Sequence, residues 1–368
     1  MWERWNYKFL IVLSLARSSR QFRNPLMIAT NRVQSGSLQT LPKENRIVLH
    51  ADKLGVSKDI LTGTAVTLII YAISVNMPIV GFFSPLLLPL PILFYRSKLG
   101  RKNGFLVPAA ATIVMIFITG AFSVHIMFFM ELLLLGFLLS ELFEMNLTVE
   151  KTILYTCGGI LLTGFIGLMF YSNISSTTMV RLASNYIAEN LELTLALYKS
   201  MGVSEENIDQ LARSLDQIRY VFIRILPAMV IASSLFVTWS NLLIARPIFK
   251  KKGLFFPDFG ALNLWKAPDP LIWVLIGSGA LLMIPAGSLK IIGLNSLLVI
   301  LVIYFFQGIA VVSYFFAKKR FPTFLRLIFY TLLAIQQLFL LCVIGIGIFD
   351  TWINFRKLNV ENNEPSSD

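Results

Sequence analysis

Apolar residues run through this chain in long unbroken stretches separated by short polar breaks. They do not alternate as in a half-buried strand or recur every third and fourth residue as on a surface helix. The stretches cover Leu61 to Val75, Ile79 to Tyr95, Phe105 to Gly120, Ser123 to Leu142, Ile153 to Tyr171, Tyr220 to Ala245, Leu271 to Gly287, Ile291 to Ala317 and Phe324 to Phe349. A hydrocarbon core of about 30 Å takes roughly 20 helical residues. The first two stretches are short for it. The pattern predicts an all-α fold: a polytopic transmembrane helical bundle of about nine spans.

One connection breaks the rule of short links. Ser172 to Arg219 places Met179, Leu182, Tyr186, Leu193 and Tyr198 mostly at helical steps, with Gly202 suited to end one helix and Ser204, Glu205 and Glu206 to start another. Threading the spans places it outside as an external helical segment of mixed charge, four basic and six acidic side chains, read as two amphipathic helices on the outer face or a lid over an outward-facing cavity. The organisation expected is therefore a tail over residues 1–55, a first transmembrane unit over 56–246 that includes 172–219, a second over 247–357, and a disordered tail over 358–368. The first tail is basic and serine-rich, like an organellar transit peptide; a start codon placed upstream of the true one explains it equally well.

Composition agrees with the pattern. Hydrophobic residues make up 56% and charged residues 14%, with mean hydropathy +0.72, too few charges to cover a soluble protein of this size. A net charge of +12 would suggest nucleic acid in a soluble chain, but here the position of the charges decides. Arg96, Lys98, Arg101 and Lys102 form one cluster with no acid beside them, Arg246, Lys250, Lys251, Lys252 and Lys266 another, and Lys318, Lys319 and Arg320 a third. The bias of Lys and Arg toward the cytoplasm puts these three loops and the N-terminus inside, and the uncharged connections near Asn76 and Ala121 outside. The expected location is a bacterial inner membrane, crossed several times, with the bilayer itself as partner and no nucleic acid.

Cys157 and Cys342 lie inside apolar runs, and His50 and His125 are far apart, so neither a disulfide framework nor a metal centre is expected. The chain carries no phosphate-binding loop, no H-E-x-x-H and no G-x-S-x-G elbow. No cofactor and no catalysis are expected, and the chain is not its own ATPase of the common type. Gly158, Gly159, Gly164 and Gly167 fit close helix packing.

Polar side chains inside the apolar runs carry the functional information, because a central carboxylate costs roughly 2.5 to 3.5 kcal/mol on insertion scales. Glu131 is mid-run, with His125 six residues earlier. Glu131 reads as a ligand or proton contact, or as one half of an ion pair with another helix or with Lys290 or Arg224. Gln307, Gln336, Gln337 and Asn295 read as interhelical hydrogen-bonding groups.

The segments Asn241 to Lys252 (NLLIARPIFKKK), Trp265 to Trp273 (WKAPDPLIW), Tyr304 to Phe316 (YFFQGIAVVSYFF) and Gly347 to Lys357 (GIFDTWINFRK) resemble the YybS-like family of bacterial membrane proteins of unknown function, over about Asp59 to Lys357. A bacterial family favours the misplaced start codon over a transit peptide. The N-terminal part of that family is similar to the substrate-binding S components of energy-coupling-factor vitamin transporters. The resemblance implies a six-span unit, energy supplied by other membrane subunits, and docking through an A-x-x-x-A pattern on the first span. This chain departs from that pattern, with Ala65 followed by Ile69, and Gly63 and Thr67 as a loose substitute. Two function classes follow. One is a small-molecule transport component with an outward-facing site and a ligand of unknown identity; the other is a non-transporting scaffold or assembly factor that binds partners or anionic lipid through basic cytoplasmic loops.

Overall fold

The computed structural model describes residues 43–120 and 122–356, and every described element of regular structure is helical. Of the tails named above, residues 1–42 and 358–368 fall outside the described residues, whereas residues 43–55 belong to the first helix. In order the helices are α1 (Lys43–Asn76), α2 (Pro78–Phe83), a 3-10 turn (Ser84–Leu87), α3 (Pro89–Gly104), α4 (Leu106–Thr119), α5 (Val124–Phe143), α6 (Val149–Ile174), α7 (Met179–Ser200) and α8 (Glu205–Lys252). A second 3-10 turn (Leu262–Leu264) follows, then α9 (Leu271–Met283), α10 (Gly287–Lys318), α11 (Thr323–Ile335) and α12 (Gln337–Ile353). Local chemistry sets several ends. Ser123, Thr148 and Thr178 cap α5, α6 and α7 with their hydroxyls, each accepting from the backbone N–H three residues on. Gly202 follows α7 at φ 76°, as its sequence position suggests.

Five described helices are long and apolar enough to cross a bilayer, and the count rises to seven if two sharply bent pairs are each one span. The bent pairs are the segment Ser84–Gly104 with α4, turned by 91°, and α11 with α12, turned by 107°. The first bend falls at Phe105, between the expected second and third spans; the Ser84–Leu87 turn interrupts the expected second, and the expected ninth is two helices. The expected seventh is a 13-residue helix, about 20 Å long and too short to cross alone. The expected external helix after Ser204 is not separate from the sixth span. Both belong to α8, a single 48-residue helix.

Packing divides the described chain into two units, residues 43–147 with 240–257, and 148–239 with 258–356. In the first, Leu88, Ile92, Val107, Met115, Leu133 and Leu139 have essentially no exposure. Gly136 of α5 lies so close to the Pro89 carbonyl that a Cβ there would collide with it. The end of α8 joins this unit through Phe249, whose ring meets Phe94 and Phe143 edge-on at 6.2 Å. In the second unit α10 and α12 meet backbone to backbone. A Cβ at Gly308 would strike the Val343 carbonyl, and one at Gly347 the Tyr304 carbonyl.

Candidate functional site

The stretch between Gly253 and α9 is irregular apart from one 3-10 turn, yet Leu262, Trp265 and Ala267 are buried. It runs beside the middle of α10, where two side chains bind its backbone. Gln307 Oε1 accepts from Ala267 N at 3.2 Å, and Arg356 Nη1 donates to the carbonyls of Asn263 and Trp265 at 2.9 Å each. Irregular backbone at the depth of apolar helices is tolerated only when protein supplies its hydrogen bonds. Those two residues supply them here. Arg356 is held in turn by Asp350, its Nη2 donating to Oδ2 at 2.7 Å, and Gln307 Nε2 donates to the same oxygen at 3.2 Å. The close α10–α12 crossing explains the meeting, since Gln307 adjoins Gly308 and Asp350 lies three residues past Gly347.

An aromatic wall closes one side of this network. The indole of Trp265 meets Trp239 at 4.3 Å and donates its Nε1 proton to Glu150 Oε1 at 2.8 Å, while Trp239 stacks on Phe306 at 5.1 Å. Gln307 was legible as a hydrogen-bonding group within a run. Asp350, Arg356 and Glu150 were not singled out, because each flanks the end of an apolar run and looks like an interfacial charge. The quoted motifs were the available signal, since WKAPDPLIW, YFFQGIAVVSYFF and GIFDTWINFRK all meet at this point.

Asn295 lies in the same unit, against α8. Its Nδ2 donates to the Arg224 carbonyl at 3.0 Å and its Oδ1 accepts from Ala228 N at 3.1 Å, the two backbone groups that flank Pro227. Proline removes a helical N–H and crowds the preceding turn. The asparagine amide engages the backbone at that defect.

The first unit repeats the theme. Between α2 and α3 the chain passes through the Ser84–Leu87 turn, and Asn241 Nδ2 donates to the Leu86 carbonyl at 2.8 Å. Ser84 Oγ lies 2.8 Å from Ser74 Oγ and donates to the Gly81 carbonyl at 3.1 Å. Glu131 is half-buried on α5, in the stripe that includes the buried Met127 and Leu135, whereas His125 is exposed in the first turn of the same helix. The two side chains do not share a face.

At the other end of this unit Arg96 is fully buried. Its Nε donates to Glu141 Oε1 at 2.9 Å, its Nη1 to the Ser140 carbonyl at 3.2 Å, and its Nη1 also pairs with Glu144. The basic cluster that has no acid beside it in sequence therefore has acids in space, from α5 for Arg96 and from Asp59 for Lys98 at 2.7 Å. Among the described residues no group of three or more His, Cys, Asp or Glu gathers to hold a metal ion.

A family model described as "Predicted membrane protein (DUF2232)" matches residues 65–351. The chain belongs to that family. Among curated proteins, this DUF2232 member is similar to "Uncharacterized protein YybS" of Bacillus subtilis (strain 168), at 22% identity over 303 residues, which cover 78% of this chain and 93% of that protein. No solved structure matches the chain. The matched region holds Glu150, Asn241, Trp265, Gln307 and Asp350. The chain is thus an integral membrane protein of a YybS-like family, built as an all-helical polytopic bundle.

Proposed function

We propose that this protein is a small-molecule transport component of a bacterial inner membrane, with its N-terminus in the cytoplasm, an outward-facing site in the first unit, and energy supplied by separate membrane subunits. One observation carries the reading: in each unit a side-chain amide on a long helix binds the backbone of an interrupted segment, Asn241 at Leu86 and Gln307 at Ala267. Transport folds build their sites on interrupted segments because free backbone groups there can meet a substrate and the segment can change shape. Glu131, on the helix that packs against Pro89 through Gly136, is the polar contact proposed for the ligand. The proposal includes no catalytic step.

A second reading, the non-transporting scaffold, is favoured by the pairing of Arg96 with Glu141 and Glu144 and of Arg356 with Asp350, which makes both groups structural. The exposed Lys250, Lys251 and Lys252 at the end of α8 would then face the partner. Purification in mild detergent, followed by mass spectrometry of retained small molecules and proteins, separates the two. The transport reading expects a single retained metabolite near equimolar amount. Retained proteins with no metabolite would overturn it in favour of the scaffold.

A further inference from the structure

Helix α11 was expected to open the ninth span, and its geometry does not suit that role. It has 13 residues, about 20 Å, and α12 leaves it at a bend of 107°. Helix α12 has 17 residues, about 26 Å, and packs along α10, so it crosses most of a hydrocarbon core unaided. With α12 upright, α11 runs nearly parallel to the membrane plane.

The side chains of α11 are sorted to match. Arg326, Phe329, Tyr330 and Leu333 recur at three- and four-residue steps and form the face turned to the protein. Arg326 donates to the carbonyls of Phe316 and Phe321 at 3.1 and 3.0 Å, Phe329 meets Phe316 at 5.3 Å, and Leu333 is buried. The opposite arc holds Phe324, Leu325, Ile328, Leu332 and Ile335, with Phe324 at 69% and Ile335 at 75% exposure. Immediately before the helix come Lys318, Lys319 and Arg320, all exposed, and no acidic residue occurs between Lys290 and Asp350.

We propose that α11 is an in-plane interfacial helix, seated in the headgroup layer with its apolar arc toward the acyl chains, and that Lys318, Lys319 and Arg320 at its start bind anionic phospholipid of that leaflet. A short helix with one apolar arc and a basic flank gains from burying the arc to the depth of the acyl boundary and from phosphate attraction at the surface. A second face of protein would have to bury the same arc without water and would meet the three cations unpaired. Arg326 fixes the tilt, because its bonds to Phe316 in the last turn of α10 and to Phe321 just after it tie the start of the helix to the end of a spanning one. The proposal is independent of whether the protein transports anything.

The test uses the full chain with Cys157→Ala and Cys342→Ala, carrying one of Phe324→Cys, Ile328→Cys or Ile335→Cys, labelled with an environment-sensitive fluorophore. The samples are reconstituted in phosphatidylcholine vesicles with about a quarter phosphatidylglycerol, and depth is read by lipids quenched at graded positions. All three labels are expected at one shallow depth. A steady deepening from residue 324 to 335, approaching the about 16 Å that eleven helical residues traverse, would make α11 half of a span and overturn the proposal. The second readout is the phosphatidylglycerol retained relative to phosphatidylcholine after purification. Replacing Lys318, Lys319 and Arg320 with Gln is expected to lower that ratio, by about fivefold for each charge removed. An unchanged ratio would overturn the lipid assignment even if the labels were shallow.

Discussion

Gln307 on α10 and Asp350 on α12 share a hydrogen bond of 3.2 Å inside the second unit, and through it the backbone of an irregular segment is tied to an ion pair. Gln307 has no exposed surface and Asp350 almost none. Each link depends on the next. Without Asp350 the guanidinium of Arg356 is a buried charge with carbonyl partners alone.

That dependence orders the variants. Removing one partner of a buried pair costs about 3 to 5 kcal/mol, so Asp350→Asn and Arg356→Met are both expected to lower thermal stability in detergent strongly. Arg356→Met is expected to cost more, because the Asn263 and Trp265 carbonyls lose their donor as well. Gln307→Leu strips the Ala267 amide of its acceptor and is expected to cost about 1 to 3 kcal/mol. Detergent melting curves that put Gln307→Leu below both charge variants would break this order.

Two glycines on facing helices give a sharper contrast. Gly308→Ala drives a methyl into the Val343 carbonyl, and an insertion into tight packing costs about 1 to 3 kcal/mol. Gly345→Ala, two residues from Val343, meets nothing within 4 Å and is expected to leave the melting temperature unchanged or slightly raised. Equal effects from the two would mean that α10 and α12 do not touch as described.

Arg96 and Lys98 are two residues apart and differ in what they contribute. Arg96 is buried against Glu141, 20% exposed, and Glu144, 58% exposed, so Arg96→Met leaves the Glu141 carboxylate and the Ser140 carbonyl without their donor and is expected to cost about 1 to 3 kcal/mol. Lys98 is 44% exposed beside Asp59, and Lys98→Ala is expected to cost no more than about 1 kcal/mol. Thermal melting of both variants checks the difference. A loss at Lys98 that matches the loss at Arg96 would place them in the same environment.

Hydropathy alone located the apolar runs, since each of the nine lies largely within described helix. It did not show the 3-10 turn at Ser84–Leu87 or the bend at Gln336, because an average over a window is blind to local backbone geometry. Pro78, Pro85, Pro89 and Pro91 marked the first break in the sequence; nothing comparable marks the second. Asn295 and Gln307 stood out because an amide inside an apolar run needs a partner. Asn295 finds backbone groups and Gln307 finds the Ala267 amide and the distant Asp350 carboxylate, none of which a sequence displays as partners. Arg96 was legible only as a basic loop residue, because Glu141 and Glu144 lie 45 and 48 positions away.

The orientation proposed above rests on the basic clusters and is checked by labelling single cysteines in intact cells. A cysteine at Lys251 or Lys319 is expected to resist an impermeant thiol reagent, and one at Ser204 to react. Labelling at Lys251 would invert the orientation proposed.

The transport reading rests most directly on Glu131, and one preparation tests it. Wild type and Glu131→Gln are purified side by side, and both the small molecule retained and the melting temperature are measured on each. The amide keeps the size and hydrogen-bonding capacity of the side chain while removing its charge. The reading predicts that Glu131→Gln melts with the wild type and loses most of the bound molecule. A large fall in melting temperature would instead make Glu131 half of a structural ion pair. Unchanged stability with unchanged bound molecule, in Glu131→Gln and again in Glu131→Leu, would contradict a ligand site at Glu131.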